Sequence, residues 1–265
     1  MKMNFSTLQP SEAASELEAA HQARQPFQSL LLAGRPLSLE EAYQVQEACV
    51  HRLVDRGLGQ VVGYKVGLTS VAMQQMCSIS SPVYGAVLEK RLQQTPSTVN
   101  PAEFGRLGIE CEIAVRLGTN IEAGSEPLTA REVADAVDAI APAFELVDDR
   151  NADYKFLDAG SLIADNAWNA GVVLGKMSPL TQGLGDRLGT LHCNGALVGE
   201  AFVRDALGDP LESVRWLAQE LGRRGRSLQP GQIVMTGSIL PTKFPGAGEQ
   251  WVYQVVGLGS VTVET

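Results

Sequence analysis

The stretch Gly108-Ile109-Glu110-Cys111-Glu112-Ile113-Ala114-Val115-Arg116-Leu117 constrains the fold more than any other part of the chain. Ile109, Cys111, Ile113, Val115 and Leu117 alternate with the remaining residues, the period-2 pattern of a β-strand. Glu110 and Glu112 therefore share one face, with Cα atoms roughly 6.6 Å apart at the usual rise per residue. Glutamate is a poor strand residue, and two like charges on one face repel. Two arrangements relieve the repulsion: the pair faces water, or a divalent cation sits between the carboxylates.

Three further segments carry unusual polar groups. Glu145 is the lone charge in Ala141-Pro142-Ala143-Phe144-Glu145-Leu146-Val147, and a buried unpaired carboxylate is costly. If it joins Glu110 and Glu112, the three form an all-oxygen set suited to Mg²⁺ or Mn²⁺. The alternative is a solvent-facing pair and an unrelated, ion-paired Glu145. Lys65 lies between Gly63 and Gly67 in Val61–Gly67, an otherwise apolar strand. It either meets an anionic ligand and moves protons, or lets its ammonium snorkel to solvent from an edge strand. Asp165-Asn166 closes an apolar segment and reads first as a turn or cap. Gly237-Ser238 reads as a turn whose N–H groups can face a carboxylate.

Around these segments the spacing predicts a helical lead followed by a β-rich body. Ser11 caps a first helix to Arg24, and Ser38-Leu39-Glu40-Glu41 is a capping box for a second helix that stops at Gly57. Thr69 opens a short helix through Met76, and Thr129-Ala130-Arg131-Glu132 opens another to about Ala139. Strands are expected at Pro142–Val147, Gly171–Leu174, Ile233–Thr236, Trp251–Val256 and Ser260–Val263. Asn194-Gly195 marks a hairpin, and Asp209-Pro210 starts a helix to Leu221. The expected division is residues 1–58 as a helical lead packed on residues 59–265, in one structural unit.

Composition narrows the partners. A net charge of −9 without a basic stripe argues against nucleic acid. No apolar run approaches the length of a membrane span, and the first residues lack the apolar core of a signal peptide. A cytoplasmic protein is expected. Cys49, Cys77, Cys111 and Cys193 are scattered, as are His21, His51 and His192, so no zinc-site spacing arises.

Taken in order, Gly63-Tyr64-Lys65-Val66-Gly67-Leu68-Thr69-Ser70, Ile109-Glu110-Cys111-Glu112, Phe144-Glu145, Ala164-Asp165-Asn166 and Gly257-Leu258-Gly259-Ser260-Val261 resemble one known group. It is the 2-keto-4-pentenoate hydratase and 4-oxalocrotonate decarboxylase group of the fumarylacetoacetate hydrolase superfamily, and the likeness covers nearly the whole chain. It implies an α+β fold: a mixed β-roll of the fumarylacetoacetate hydrolase kind, with peripheral helices. It implies Mg²⁺ or Mn²⁺ on Glu110, Glu112 and Glu145, with Lys65 as the proton-transfer group. Ser161 falls near the substrate carboxylate, and Asp165, Asn166, Gly237 and Ser238 complete the expected substrate-binding set. The implied protein is a homo-oligomeric lyase of aromatic-compound catabolism, acting on a small anionic 2-keto or 2-hydroxydienoic acid. Water addition is the first expectation and decarboxylation the second. Behind them stand acylpyruvate-type C–C hydrolysis, for which no Glu-His pair is apparent, and a non-catalytic metal-binding protein. One departure bears on the choice. Hydratases of the group usually carry Asp in a Pro-Asp-aromatic-Gly segment, which here reads Pro82-Val83-Tyr84-Gly85.

Overall fold

A computed structural model of the chain describes residues 2–7, 9–122 and 127–265. The N-terminal lead is more than helical. It holds β1 (Met3–Phe5), α1 (Pro10–Gln22), β2 (Leu30–Leu32), β3 (Arg35–Pro36) and α2 (Leu39–Leu53), and the three strands pair in the order β1-β2-β3. Helix α1 starts with Pro10 at its first position and without a side-chain cap, so Ser11 is not the cap the sequence suggested. Helix α2 has the expected capping box, in which Ser38 accepts from the Glu41 N–H and Glu41 reaches back to the Ser38 N–H. Its buried face carries Tyr43, Val45 and Val50 into the same core as Val66, Tyr84 and Leu162. Gln46 ties that face to the body by donating to the Tyr84 and Ile163 carbonyls, both at 2.8 Å.

The body continues with β4 (Val61–Gly67), α3 (Val71–Met76), β5 (Val83–Leu88), β6 (Leu92–Gln94), β7 (Ser97–Thr98) and β8 (Leu107–Leu117). Ser70 rather than Thr69 caps α3. Then follow α4 (Ala130–Ala136), β9 (Val137–Asp148), α5 (Ala159–Ala164) and β10 (Asn169–Leu174). The chain closes with β11 (Leu188–Cys193), β12 (Ala196–Phe202), α6 (Pro210–Arg223), β13 (Ile233–Met235), β14 (Gln250–Val255) and β15 (Gly259–Glu264). Asn194 and Gly195 both have positive φ, 49° and 82°, as the tight hairpin between β11 and β12 requires.

Two sheets form the body. The larger runs β5-β4-β13-β8-β9-β10-β6 and the smaller β12-β11-β14-β15-β7. The larger sheet is mixed, with β13 parallel to β4 and antiparallel to β8. Val255, Val261 and Val263 of the smaller sheet are buried in the core shared with β9, where Tyr253 packs 6.0 Å from Phe144 between ring centroids. This agrees with the expected α+β roll with outer helices. Strand β13 passes so close to β4 that a Cβ on Gly63 would lie 2.0 Å from the Ile233 carbonyl oxygen, so only glycine fits there. The β9 strand starts earlier than expected, absorbing the end of the helix anticipated to reach Ala139. No described helix is long and apolar enough to cross a membrane.

Candidate active site

The β8 and β9 registers place Glu110 directly opposite Glu145 and Glu112 opposite Ala143. All three glutamates thus project from one face of adjacent strands. That face is covered by protein: Glu112 and Glu145 are each 0% exposed, which removes the reading of a solvent-facing pair. Ala143 lies opposite Glu112 and Val172 opposite Glu145 in the sheet. One carboxylate oxygen from each glutamate lies within 4.8 Å of the other two.

Each carboxylate is held by one donor. Thr242 donates its hydroxyl to Glu110 Oε1 at 2.5 Å, the Gly237 N–H donates to Glu112 Oε2 at 2.8 Å, and Asn169 Nδ2 donates to Glu145 Oε1 at 2.9 Å. Glu112 Oε1 has no protein partner. Glu145 Oε2 has only a 3.3 Å contact with Lys65 Nζ, outside hydrogen-bond alignment. Lys65 is 5% exposed, and its ammonium donates to the Ala167 carbonyl at 3.2 Å. Burial acts to lower the Lys65 pKa, but Glu145, Glu110 and Glu112 hold it above its ordinary value. Burial pushes Glu112 well above the carboxylate range, reinforced by Glu145 and Glu110. Burial likewise raises Glu145 to about 7, against the lowering pull of Lys65. One ammonium faces three carboxylates in a site nearly closed to water. The orphaned oxygens, the all-oxygen donor set and its tight spacing fit a hard divalent cation.

The electrostatics set a pH dependence. Glu112 and Glu145 have folded-state pKa values above those of the unfolded chain, so their protonated forms favour folding below about pH 4.5. Glu145's share is lost as pH rises through about 7, and Glu112's is likewise lost on passing its own raised pKa. Thermal melts of the cation-free protein should therefore show falling stability from pH 5 to pH 8. The stabilisation added by Mg²⁺ should grow over the same interval; an Mg²⁺ increment that shrinks with pH would contradict this account.

A cavity of about 520 Å³ opens beside the cluster. Lys65, Glu110 and Ser238 reach its wall, with Val83, Leu157, Leu162, Trp168, Leu240 and Phe244 supplying apolar surface. Val83 pairs in register with Gly67, two residues beyond Lys65, and is 1% exposed. Ser238 also accepts from the Cys111 N–H at 3.2 Å and donates to the Leu240 carbonyl at 2.7 Å.

Several expected substrate contacts are committed elsewhere. The Gly237 N–H serves Glu112 rather than a free anion. Ser161 accepts from the Leu30 N–H and donates to Asp158, each at 2.8 Å, which fastens α5 to the N-terminal sheet. Asn166 clamps β5 by accepting from the Ala86 N–H and donating to the Ala86 carbonyl. Asp165 is 5% exposed and pairs with Arg150 and His21, both at 2.5 Å. Ser161, Asp165 and Asn166 thus shape the site's frame from outside the 520 Å³ cavity. Asp165→Ala would leave Arg150, 1% exposed, without its carboxylate. Urea denaturation should show a loss of about 3–5 kcal/mol, with calorimetric Mg²⁺ affinity unchanged; equal stability would refute the structural role.

Sequence reasoning missed Asn169 and Thr242, because a lone polar residue in a strand or loop has no periodic signature. It also missed the conformation of Asn166-Ala167-Trp168, whose φ values are 50°, 48° and 60°. Three successive left-handed residues without glycine are strained and persist only when surroundings fix them. Here Ala86, Lys65 and the neighbouring rings do so: Trp168 makes edge contacts with Phe27 at 5.1 Å and Tyr154 at 5.7 Å.

A family profile described as Fumarylacetoacetate (FAA) hydrolase C-terminal matches residues 86–264. The chain belongs to the fumarylacetoacetate hydrolase family. The matched stretch carries all three glutamates and begins after Lys65. Over 260 residues the chain is 32% identical to a 2-keto-4-pentenoate hydratase of Paraburkholderia xenovorans strain LB400, covering 97% of this chain and 94% of that protein. It is 31% identical over 233 residues to a 4-oxalocrotonate decarboxylase of Pseudomonas putida, covering 85% of each. Among solved structures, 4-oxalocrotonate decarboxylase from Pseudomonas putida G7, complexed with magnesium and adipate, superposes with a TM-score of 0.86 at 27% identity. That match covers 97% of this chain and 98% of the other. The group named by the residue pattern is therefore the one to which this family member is similar.

Proposed function

We propose that this chain is a divalent-cation-dependent lyase of the hydratase kind, adding water to a 2-hydroxy-2,4-dienoate or its 2-keto tautomer in aromatic-compound catabolism. The reading places it in the cytoplasm as a homo-oligomer. One observation carries it: Glu110, Glu112 and Glu145 converge beside the cavity with the Lys65 ammonium 3.3 Å from Glu145. The three glutamates would hold Mg²⁺ or Mn²⁺. When bound, the cation supplies Lewis-acid stabilisation of negative charge on a 2-oxygen.

The chain's own groups do the rest. Lys65 is charged at rest, so during ketonisation it gives a proton to a substrate carbon and takes back the one that the substrate's 2-hydroxyl loses. The Ala167 carbonyl and Glu145 fix the ammonium in place for that transfer. Gly237, Thr242 and Asn169 each occupy one oxygen of a glutamate and aim the other. Ser238 stands at the cavity wall with its hydroxyl proton given to the Leu240 carbonyl, so it shapes the wall rather than donating to the substrate. The apolar wall excludes water from all but the reacting face and receives the hydrocarbon end of the substrate.

Hydration leads because Lys65 is the sole basic residue among the described residues lining this cavity. A short hydrocarbon tail needs no second cation, whereas a distal carboxylate would have to rely on N–H or hydroxyl donors. Decarboxylation of 2-oxo-3-hexenedioate is the second reading, favoured by Val83, which cannot transfer a proton or orient water where hydratases usually carry Asp. Incubation with Mg²⁺ and either 2-hydroxypenta-2,4-dienoate or 2-oxo-3-hexenedioate, with products weighed by mass spectrometry, decides. Gain of water supports the first reading and loss of CO₂ the second. Turnover of neither substrate, with cation binding demonstrated by calorimetry, would overturn both.

A further inference from the structure

A second cavity, of about 290 Å³, is lined in part by Asn166, Trp168 and Asn169. Leu17, Leu53, Phe104 and Trp168 give it apolar walls, and Arg52, Arg56 and Arg91 bring three guanidinium groups to it. Four acids, Glu18, Glu103, Asp148 and Asp165, line the same cavity, so what matters is which charges are already paired. Arg52 and Arg56 share a single carboxylate, Glu18, at 2.6 and 2.8 Å. Arg91 forms no ion pair with a described residue; its Nη1 donates to the Asn169 carbonyl at 3.0 Å.

Of the four acids lining the cavity, Glu18, Asp148 and Asp165 are already engaged, and Glu103 is exposed to solvent. Asp148 accepts from the backbone N–H groups of Gly105, Arg106 and Arg150. Asp165 is taken by Arg150 and His21. Burial lowers the Arg91 pKa and these two carboxylates offset only part of it, as expected for a cation lacking a direct partner. A guanidinium presents a planar fork of donors matched to a carboxylate. The adjoining walls match a flat apolar body.

We propose that this cavity is a second ligand site, taking a small organic carboxylate whose anionic end pairs with Arg91 and whose apolar body lies against Leu17, Phe104 and Trp168. The site adjoins the catalytic cavity physically. Trp168 borders both cavities, and Asn169 links them by accepting from Arg91 while donating to Glu145. An occupant that draws on Arg91 therefore acts on the residue that orients Glu145.

Benzoate is a suitable probe, titrated calorimetrically into the cation-free chain without substrate. The readout is thus independent of the lyase assignment. Wild type and Lys65→Ala should bind it with equal affinity. Arg91→Gln should weaken binding by about tenfold or more. Ala170→Leu narrows the same cavity while retaining Arg91, and should weaken binding too, which decides the matter if Arg91→Gln fails to fold. Binding should also shift the Trp168 indole N–H resonance, assigned by its loss in Trp168→Phe. Loss of benzoate binding in Lys65→Ala would place the anion in the catalytic cavity and overturn the proposal. So would wild-type affinity in Ala170→Leu, or no binding to the wild type.

Discussion

Glu112→Gln should nearly abolish Mg²⁺-dependent turnover while making the cation-free protein more stable. The two effects have one origin. Glu112 is 0% exposed, one of its oxygens has no partner, and Glu110 and Glu145 lie alongside it. Glutamine has nearly the same shape and still accepts the Gly237 N–H, but it brings no charge. Cation binding loses an anionic ligand, and the lost electrostatic stabilisation, several kcal/mol, corresponds to about 10³-fold in rate. Folding, in turn, no longer has to bury that charge among like charges. Each kcal/mol recovered should raise the melting temperature of the cation-free protein by about 2–4 °C. Calorimetric titration with Mg²⁺, thermal melts and steady-state rates test this together. A variant with wild-type Mg²⁺ affinity would remove Glu112 from the ligand set.

Lys65→Met should separate cation binding from chemistry. Methionine retains much of the buried stem but cannot hold or move a proton. Turnover should fall by about 10²–10⁴-fold, the usual range for removing a general acid or base. Mg²⁺ affinity should be retained or rise, because the cation no longer competes with an ammonium 3.3 Å from Glu145. The cation-free variant should be less stable than wild type at pH 8, where three carboxylates face one another without a counter-ion. Saturating Mg²⁺ should restore most of that loss. If the rate stays within about twofold of wild type, Lys65 is a counter-ion and not the proton carrier.

What can be read from the sequence depends on whether a residue breaks a local pattern. Glu110, Glu112 and Glu145 interrupt apolar strand runs, and Lys65 interrupts a strand between two glycines, so all four stand out from the pattern of residues around them. The Asn194-Gly195 hairpin and the Ser38 capping box are equally legible, since local backbone geometry selects those residue types. The start of β9 is not. Val137-Asp138-Ala139-Ile140-Ala141 suits a helix as well as a strand, and pairing with β8 decides in favour of the strand. Asn169 and Thr242 acquire their roles only through partners 24 and 132 positions away in the chain. The family resemblance placed Ser161 and Asp165 at the substrate, but it could not show that their polar atoms were already satisfied by Leu30, Asp158, Arg150 and His21.

The position of β13 has a consequence for biosynthesis. Its three residues come late in the chain, yet they lie in the sheet's interior between β4 and β8, strands completed more than a hundred residues earlier. While the ribosome makes the intervening segment, β4 and β8 each keep an open edge of the kind that invites pairing with the wrong strand. Gly237 and Thr242 follow directly behind β13, so the donors for Glu112 and Glu110 arrive as the gap closes. Nascent chains released before residue 233 therefore lack both the seam of the sheet and the donors that position two of its glutamates. Completion of the sheet and completion of the acidic site are one event, set by the synthesis of residues 233–242.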